Sequence, residues 1–190
     1  MNIRSIIEKS IEVKQNILLN EQLILEIEKV IDVIVNCYKS GGKVYFCGNG
    51  GSAADAQHIA AELSGRFYYD RDPLYAEALH VNTSYLTAVA NDYSYDDIYS
   101  RLIKAKGWKG DVLIGLSTSG NSENIVRAFI QAKQQGVVTI GFTGNAGGKM
   151  KEISDFLLNV PSTDTPRIQE SHIMLGHIVC EYVESVLFPR

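Results

Sequence analysis

The chain has 190 residues, 45% of them hydrophobic and 21% charged, with a net charge of −4, which suits one soluble domain with a sizeable core. No basic face stands out, so the composition argues against nucleic acid as a partner. No apolar run is long enough for a membrane span, so no membrane partner is expected either.

Residues 2–19 place Ile3, Ile6, Ile7, Val13, Ile17 and Leu18 at helical spacing, with Glu8, Lys9, Glu12 and Lys14 between them. Glu and Lys among these apolar residues do not make a secretory leader. Residues 21–39 repeat the pattern through Leu23, Ile27, Val30, Ile34 and Tyr38, and Gly41-Gly42 ends the second helix. Their broad apolar faces predict a helical pair, residues 1–40, used in packing between subunits. Val44-Tyr45-Phe46 then reads as a strand, broken at Gly48-Asn49-Gly50-Gly51-Ser52. An Ala-rich helix follows and carries Asp55, His58, Glu62 and Arg66. Tyr68 to Pro73 is a polar loop, Ala78 to Val81 a short strand, and Thr83 to Ala90 a short helix closed by Asn91-Asp92-Tyr93. Tyr95 to Lys106 is amphipathic.

Asp111 to Leu116 is nearly all apolar and predicts a strand buried on both faces. It runs into Ser117-Thr118-Ser119-Gly120-Asn121-Ser122, then a helix from Glu123 to Gln135 stopped by Gly136. Val137 to Phe142 is a strong strand and Phe156 to Val160 a weaker one, with a Gly/Asn loop and a short helix, Lys149 to Ile153, between them. A loop from Pro161 to Pro166 precedes a long helix, Ile168 to Leu187. Alternating strands and helices imply right-handed βαβ units around a parallel sheet. Ligands of such sheets sit beyond the C-terminal strand ends, where residues 48–52 and 117–122 fall.

Cys37, Cys47 and Cys180 are odd in number and far apart, and predict reduced, buried thiols in a cytoplasmic protein. Cys47 borders the glycine turn, but apolar neighbours raise a thiol pKa and disfavour it as a nucleophile. The loop at 117–122 puts four hydroxyls at a helix N-terminus, where free N–H groups favour phosphate. One hydroxyl would suffice as a cap, so four point to a ligand. Neither GxxxxGK[ST] nor a dinucleotide fingerprint is present. His58 and Glu62 share one helix face as a metal or acid/base pair, and equally as a solvated i,i+4 stripe. On the last helix, Gln169 and His177 are about 12 Å apart along the axis at ~1.5 Å per residue. His172, one turn from Gln169, is a rival partner, and spacing alone leaves the two histidines open.

GNGGSAADAQHIAAELSGRF, STSGNSENI and RIQESHIMLGH together resemble the sugar isomerase (SIS) domain family. More narrowly, they resemble its isomerases of seven-carbon sugar phosphates, over nearly the whole chain. The resemblance implies a single domain, residues 1–190, built as a three-layer αβα sandwich on a central parallel sheet and preceded by two helices. It implies a homotetramer with active sites at subunit interfaces and one Zn²⁺ per subunit. It maps zinc ligands to His58, Glu62, Gln169 and His177, choosing His177 over His172, with Glu62 and His177 also catalytic. It maps contacts to a phosphorylated seven-carbon sugar to Asn49, Gly50, Gly51, Ser52, Asn91, Asp92, Ser117, Thr118, Ser119, Ser122 and Gln169. The implied activity is aldose–ketose isomerisation of sedoheptulose 7-phosphate through an enediol, supplying bacterial surface polysaccharide. Non-catalytic relatives that bind the replication initiator share AADAQH, NDYSYDDIYSR and RIQE. They lack the carboxylate and imidazole found here at Glu62 and His177, which favours the enzyme.

Overall fold

The computed structural model describes residues 2–190. Helices α1 (Ile3–Leu18) and α2 (Glu21–Lys39) form where the apolar spacing places them, and each is capped by an asparagine. Asn2 accepts from Ser5 N–H and Asn20 from Leu23 N–H. The two helices differ in what they cover. α2 buries Leu23, Ile27, Val30, Ile31, Ile34 and Val35 in the same core as the sheet, so it is a layer of the domain itself. α1 buries only Val13 and Ile17 and leaves Ile3, Ile6, Ile7 and Ile11 exposed. It is tied down by Ser10 Oγ donating to Glu170 and by Arg167 donating to the Ile6 carbonyl.

Five parallel strands follow: β1 (Val44–Gly48), β2 (Ala76–Ala78), β3 (Val112–Ser117), β4 (Val138–Thr143) and β5 (Phe156–Asn159). They lie in the order β2-β1-β3-β4-β5. Every residue of β1 and β3 is buried, as their unbroken apolar runs require. Alternation sends Val44, Phe46, Ile114, Leu116 and Phe142 to one face and Tyr45, Cys47 and Leu113 to the other. The first face is covered by α2, α3 (Gly51–Ser64) and α8 (Thr165–Leu187). The second is covered by α4 (Thr83–Asp92), α5 (Ile98–Lys106), α6 (Glu123–Gln135) and α7 (Met150–Ile153). The result is the expected αβα sandwich. Its sheet reverses direction of growth between β1 and β3, and the loops leaving those two strands part to open a crevice.

Three boundaries differ from the sequence expectation. The short edge strand is Ala76–Ala78, because Val44 N–H donates to the Tyr75 carbonyl and Leu79 N–H to the Phe46 carbonyl. His80 and Val81 have already left the sheet in a turn. Asn91 and Asp92 are the last helical residues of α4 rather than a loop closing it. α8 begins at Thr165 and takes Pro166 into its first turn, where a missing N–H costs nothing.

His172 is fully buried under β4, with Nε2 donating to the Thr143 carbonyl at 3.2 Å and its ring edge-on to Phe142. Burial lowers its pKa to about 4, partly offset by that hydrogen bond. The neutral ring therefore stabilises the fold fully above the unfolded pKa near 6.5, and this is lost as pH falls towards 4. The loss is roughly 3 kcal/mol across that window. Denaturant titrations between those pH values are expected to show a slope that His172→Gln flattens. An unchanged slope in the variant would refute the assignment.

Candidate active site

Two helix N-termini face the crevice, and in neither does the N-cap side chain close the first turn. α1, α2 and α4 are each capped by an Asn side chain, whereas α3 and α6, like α5, α7 and α8, carry no side-chain cap. α3 starts at Gly50, which has no side chain to offer. α6 starts at Ser122, whose hydroxyl instead pairs with Ser117 Oγ at 2.9 Å. The simple capping role for the serine loop is thus not what its hydroxyls perform. Ser117 is buried, Thr118 and Ser122 are half-buried and Ser119 is exposed, so the hydroxyls descend from solvent to the strand end. The first N–H groups and the positive end of each helix dipole suit a phosphate.

The walls of the crevice are fastened to each other. Asn49, leaving β1, and Asn124, in the first turn of α6, form a reciprocal amide pair, both hydrogen bonds 2.9 Å long. Asn49 Oδ1 also accepts from Tyr95 Oη at 3.1 Å. Asn124 is 2% exposed and its Oδ1 additionally accepts from Ile125 N–H. Most of the hydrogen-bonding capacity of Asn49 is therefore spent inside the protein. Tyr99 Oη donates to the Gly48 carbonyl and pins the end of β1. Neither Asn124 nor the two tyrosines stood out in the sequence. Their signal was only a position one turn into a helix or on an amphipathic face, shared with many structural residues. Through Tyr95 the corner at the end of α4 is joined to the glycine turn. Asn91 and Asp92 are exposed there, with Asn91 Nδ2 donating to Asp92 at 2.9 Å.

His58 and Glu62, one turn apart on α3, meet His177 of α8. His58 Nε2 lies 3.2 Å from Glu62 Oε1 and 3.2 Å from His177 Nε2. These atoms all fall within 4.8 Å of one another. Two imidazole nitrogens and a carboxylate aimed at one point make a poor hydrogen-bond set, since a single ring N–H would have to serve two acceptors. They make a good cation set. Tetrahedral zinc with bonds of about 2.0–2.1 Å has ligand-to-ligand edges of about 3.3 Å, close to both observed separations. The close approach of the two helices is licensed by Gly176, next to His177. A Cβ there would overlap the side chain of Ile59, next to His58.

Asp55 stands one turn before His58 on α3, and its Oδ2 is buried with no hydrogen-bond partner among the described residues. Burial raises its pKa, while the His58 and His177 imidazoles pull it down. Gln169, the fourth ligand implied by the family resemblance, stands on α8 about two turns before His177. Its amide lies against the glycine turn, where a Cβ on Gly51 would stand 2.6 Å from Nε2. His172 is removed as a ligand by its complete burial beneath β4. Cys47 is removed as a nucleophile: it is fully buried, and desolvation pushes its thiol well above the usual range.

A parallel sheet, two helix ends without a side-chain cap at its switch point and a His/Glu/His cluster beside them define a phosphosugar-handling α/β domain. The chain belongs to the SIS domain family, whose model matches residues 9–144, and within it to the phosphoheptose isomerases. It is 57% identical to the phosphoheptose isomerase of Clostridium acetobutylicum, over 96% of this chain and 93% of that one. It is 50% identical to that of Aneurinibacillus thermoaerophilus, over 98% and 94% respectively. Among solved structures, the phosphoheptose isomerase of Neisseria gonorrhoeae superposes with a TM-score of 0.90 at 41% identity, covering 96% of this chain and 97% of that one. That of Francisella tularensis gives 0.93 at 35% identity, covering 96% of each. These relatives are named as isomerases, and the likeness to them supports an isomerase over a non-catalytic scaffold. Among the described residues, no helix is long and apolar enough to cross a membrane.

Proposed function

We propose that this chain interconverts sedoheptulose 7-phosphate and D-glycero-D-manno-heptose 7-phosphate, moving a proton between C1 and C2 through an enediol. The observation that carries this is the meeting of His58, Glu62 and His177 on two helices, one of which faces the crevice with an N-terminus that no side chain caps. An aldose–ketose shift needs one group to take the proton from carbon and another to serve the oxygens. Glu62 is assigned as the base and His177 as its acid/base partner. Ser117, Thr118, Ser119 and Ser122 anchor the phosphate and so fix the distance from that end to C1 and C2. Gly50, Gly51 and Ser52 form the wall beside the sugar, with Asn49 as its brace. Asn91 and Asp92 hold sugar hydroxyls, and Gln169 reaches the sugar from beside Gly51.

His58, Glu62 and His177 are assigned to hold one Zn²⁺ per subunit. The role of Gln169 as fourth ligand rests on the family resemblance. Bound there, the ion supplies Lewis-acid polarisation of the oxygens beside the reacting carbons. The exposed isoleucines of α1 are assigned to a homotetramer interface, and the enzyme to the cytoplasm, upstream of bacterial surface polysaccharide.

The test is turnover of sedoheptulose 7-phosphate in D₂O together with metal analysis of the purified protein. Formation of the aldose with deuterium entering from solvent is expected, with zinc near one per subunit. Absence of turnover in zinc-loaded protein would overturn the activity. Full turnover after complete chelation would remove zinc from the chemistry while leaving Glu62 and His177 in it.

A further inference from the structure

Arg71 and Glu184 have no part in the site above, yet their side chains are 2% and 1% exposed. The Glu184 carboxylate accepts from Phe67 N–H at 2.9 Å, Tyr68 N–H at 2.7 Å and Arg71 Nε–H at 3.0 Å. Burial alone would raise its pKa, but these bonds and the guanidinium outweigh it and hold the group below its ordinary value. It is therefore ionised at neutral pH.

The remaining donors of Arg71 go to backbone. Nη1 donates to the carbonyls of Leu63, Gly65 and Asp72, and Nη2 to that of Glu62. Carbonyls in the last turn of a helix have no partner within it, so the guanidinium closes the end of α3 and sits at the negative end of its dipole. A buried ion pair often stabilises a fold no more than apolar side chains of equal volume would. What this one fixes is placement. Arg71 holds the carbonyl of Glu62 itself. Glu184 lies two turns beyond His177 on α8. Phe67, fastened by Glu184, lays its ring 5.7 Å from the His177 imidazole.

We propose that Arg71 and Glu184 are positioning residues, a clamp that sets the separation of Glu62 from His177 across the α3–α8 contact. It rests on the acid/base roles assigned to those two residues. The variants Glu184→Gln and Arg71→Lys keep size while removing the charge or the fork. Each is assayed for kcat and KM separately, below its own melting temperature. A kcat lower by about 10–100-fold is expected, the range typical of groups that orient reacting side chains. KM is expected to hold within about twofold, because the serine loop that anchors the phosphate is untouched. Wild-type kcat in the folded variants, with only a lower melting temperature, would overturn the clamp. Glu62→Gln run alongside separates the two failures. If it is inactive while the clamp variants turn over normally, only the clamp falls. If it is active, the acid/base assignment falls and the clamp with it. Should Glu184→Gln not fold, Arg71→Lys decides.

Discussion

Glu62→Gln and His177→Gln are each expected to lower isomerase kcat by roughly 10²–10⁴-fold, the range for loss of a general acid or base. Both replacements are close in size to the native side chain, and neither position is part of the core. The Glu62 side chain is 25% exposed and His177 is half-buried, so no large cavity is left. Melting temperatures should therefore move by only a few degrees while activity collapses. Metal content measured on the same samples adds a second reading. Glu62 cannot grip an ion tightly and take a carbon-bound proton at once with full effect. Loss of activity with zinc retained would assign Glu62 chiefly to proton transfer. Loss of both together would assign it chiefly to the ion. Near-normal kcat in either variant would remove that residue from the chemistry.

The second large effect is expected at Gly120→Ala. Gly120 holds φ at +67°, a conformation that L side chains rarely adopt, and a Cβ there would overlap the Gly147 carbonyl oxygen. The obstacle is backbone, which cannot swing aside. It is also fixed in place, because Met150 N–H donates to the Gly120 carbonyl and Lys149 N–H to the Asn121 side chain. The substitution should cost more than about 2 kcal/mol. In a chain of this length that lowers the melting temperature by about 4–8 °C. Because the strain falls inside the serine loop, KM for the phosphorylated substrate should rise as well. A variant that melts and binds like the native protein would show that the loop does not anchor the phosphate in this conformation.

The sheet was legible because fully buried parallel strands leave runs such as VYFCG and VLIGLS, which few other environments tolerate. The edge strand was misplaced because its pairing is set by partner carbonyls on β1, and Ala76–Ala78 has no hydrophobic pattern of its own. At the site, spacing could pair His58 with Glu62, since four residues make one helical turn. It could not bring His177 to them. That meeting depends on the α3–α8 contact, on Gly176 and on Ile59, and no periodicity reports a contact between helices more than a hundred residues apart. Asn124 and Glu184 were hidden for a related reason. Each reads as an ordinary polar residue on its helix, and its burial becomes visible only when the opposite wall is in place.

The Asn49–Asn124 amide pair has a consequence for how this site can change. It joins the loop that leaves β1 to the first turn of α6, directly after the loop that leaves β3, so the two halves of the crevice share a mechanical connection. Substitutions on directly connected residues do not add independently. A chain diversifying towards other sugar phosphates would therefore meet epistasis at this junction, where a replacement favourable in one loop is unfavourable until the other follows. Libraries that vary both loops together should yield new specificities that stepwise libraries miss.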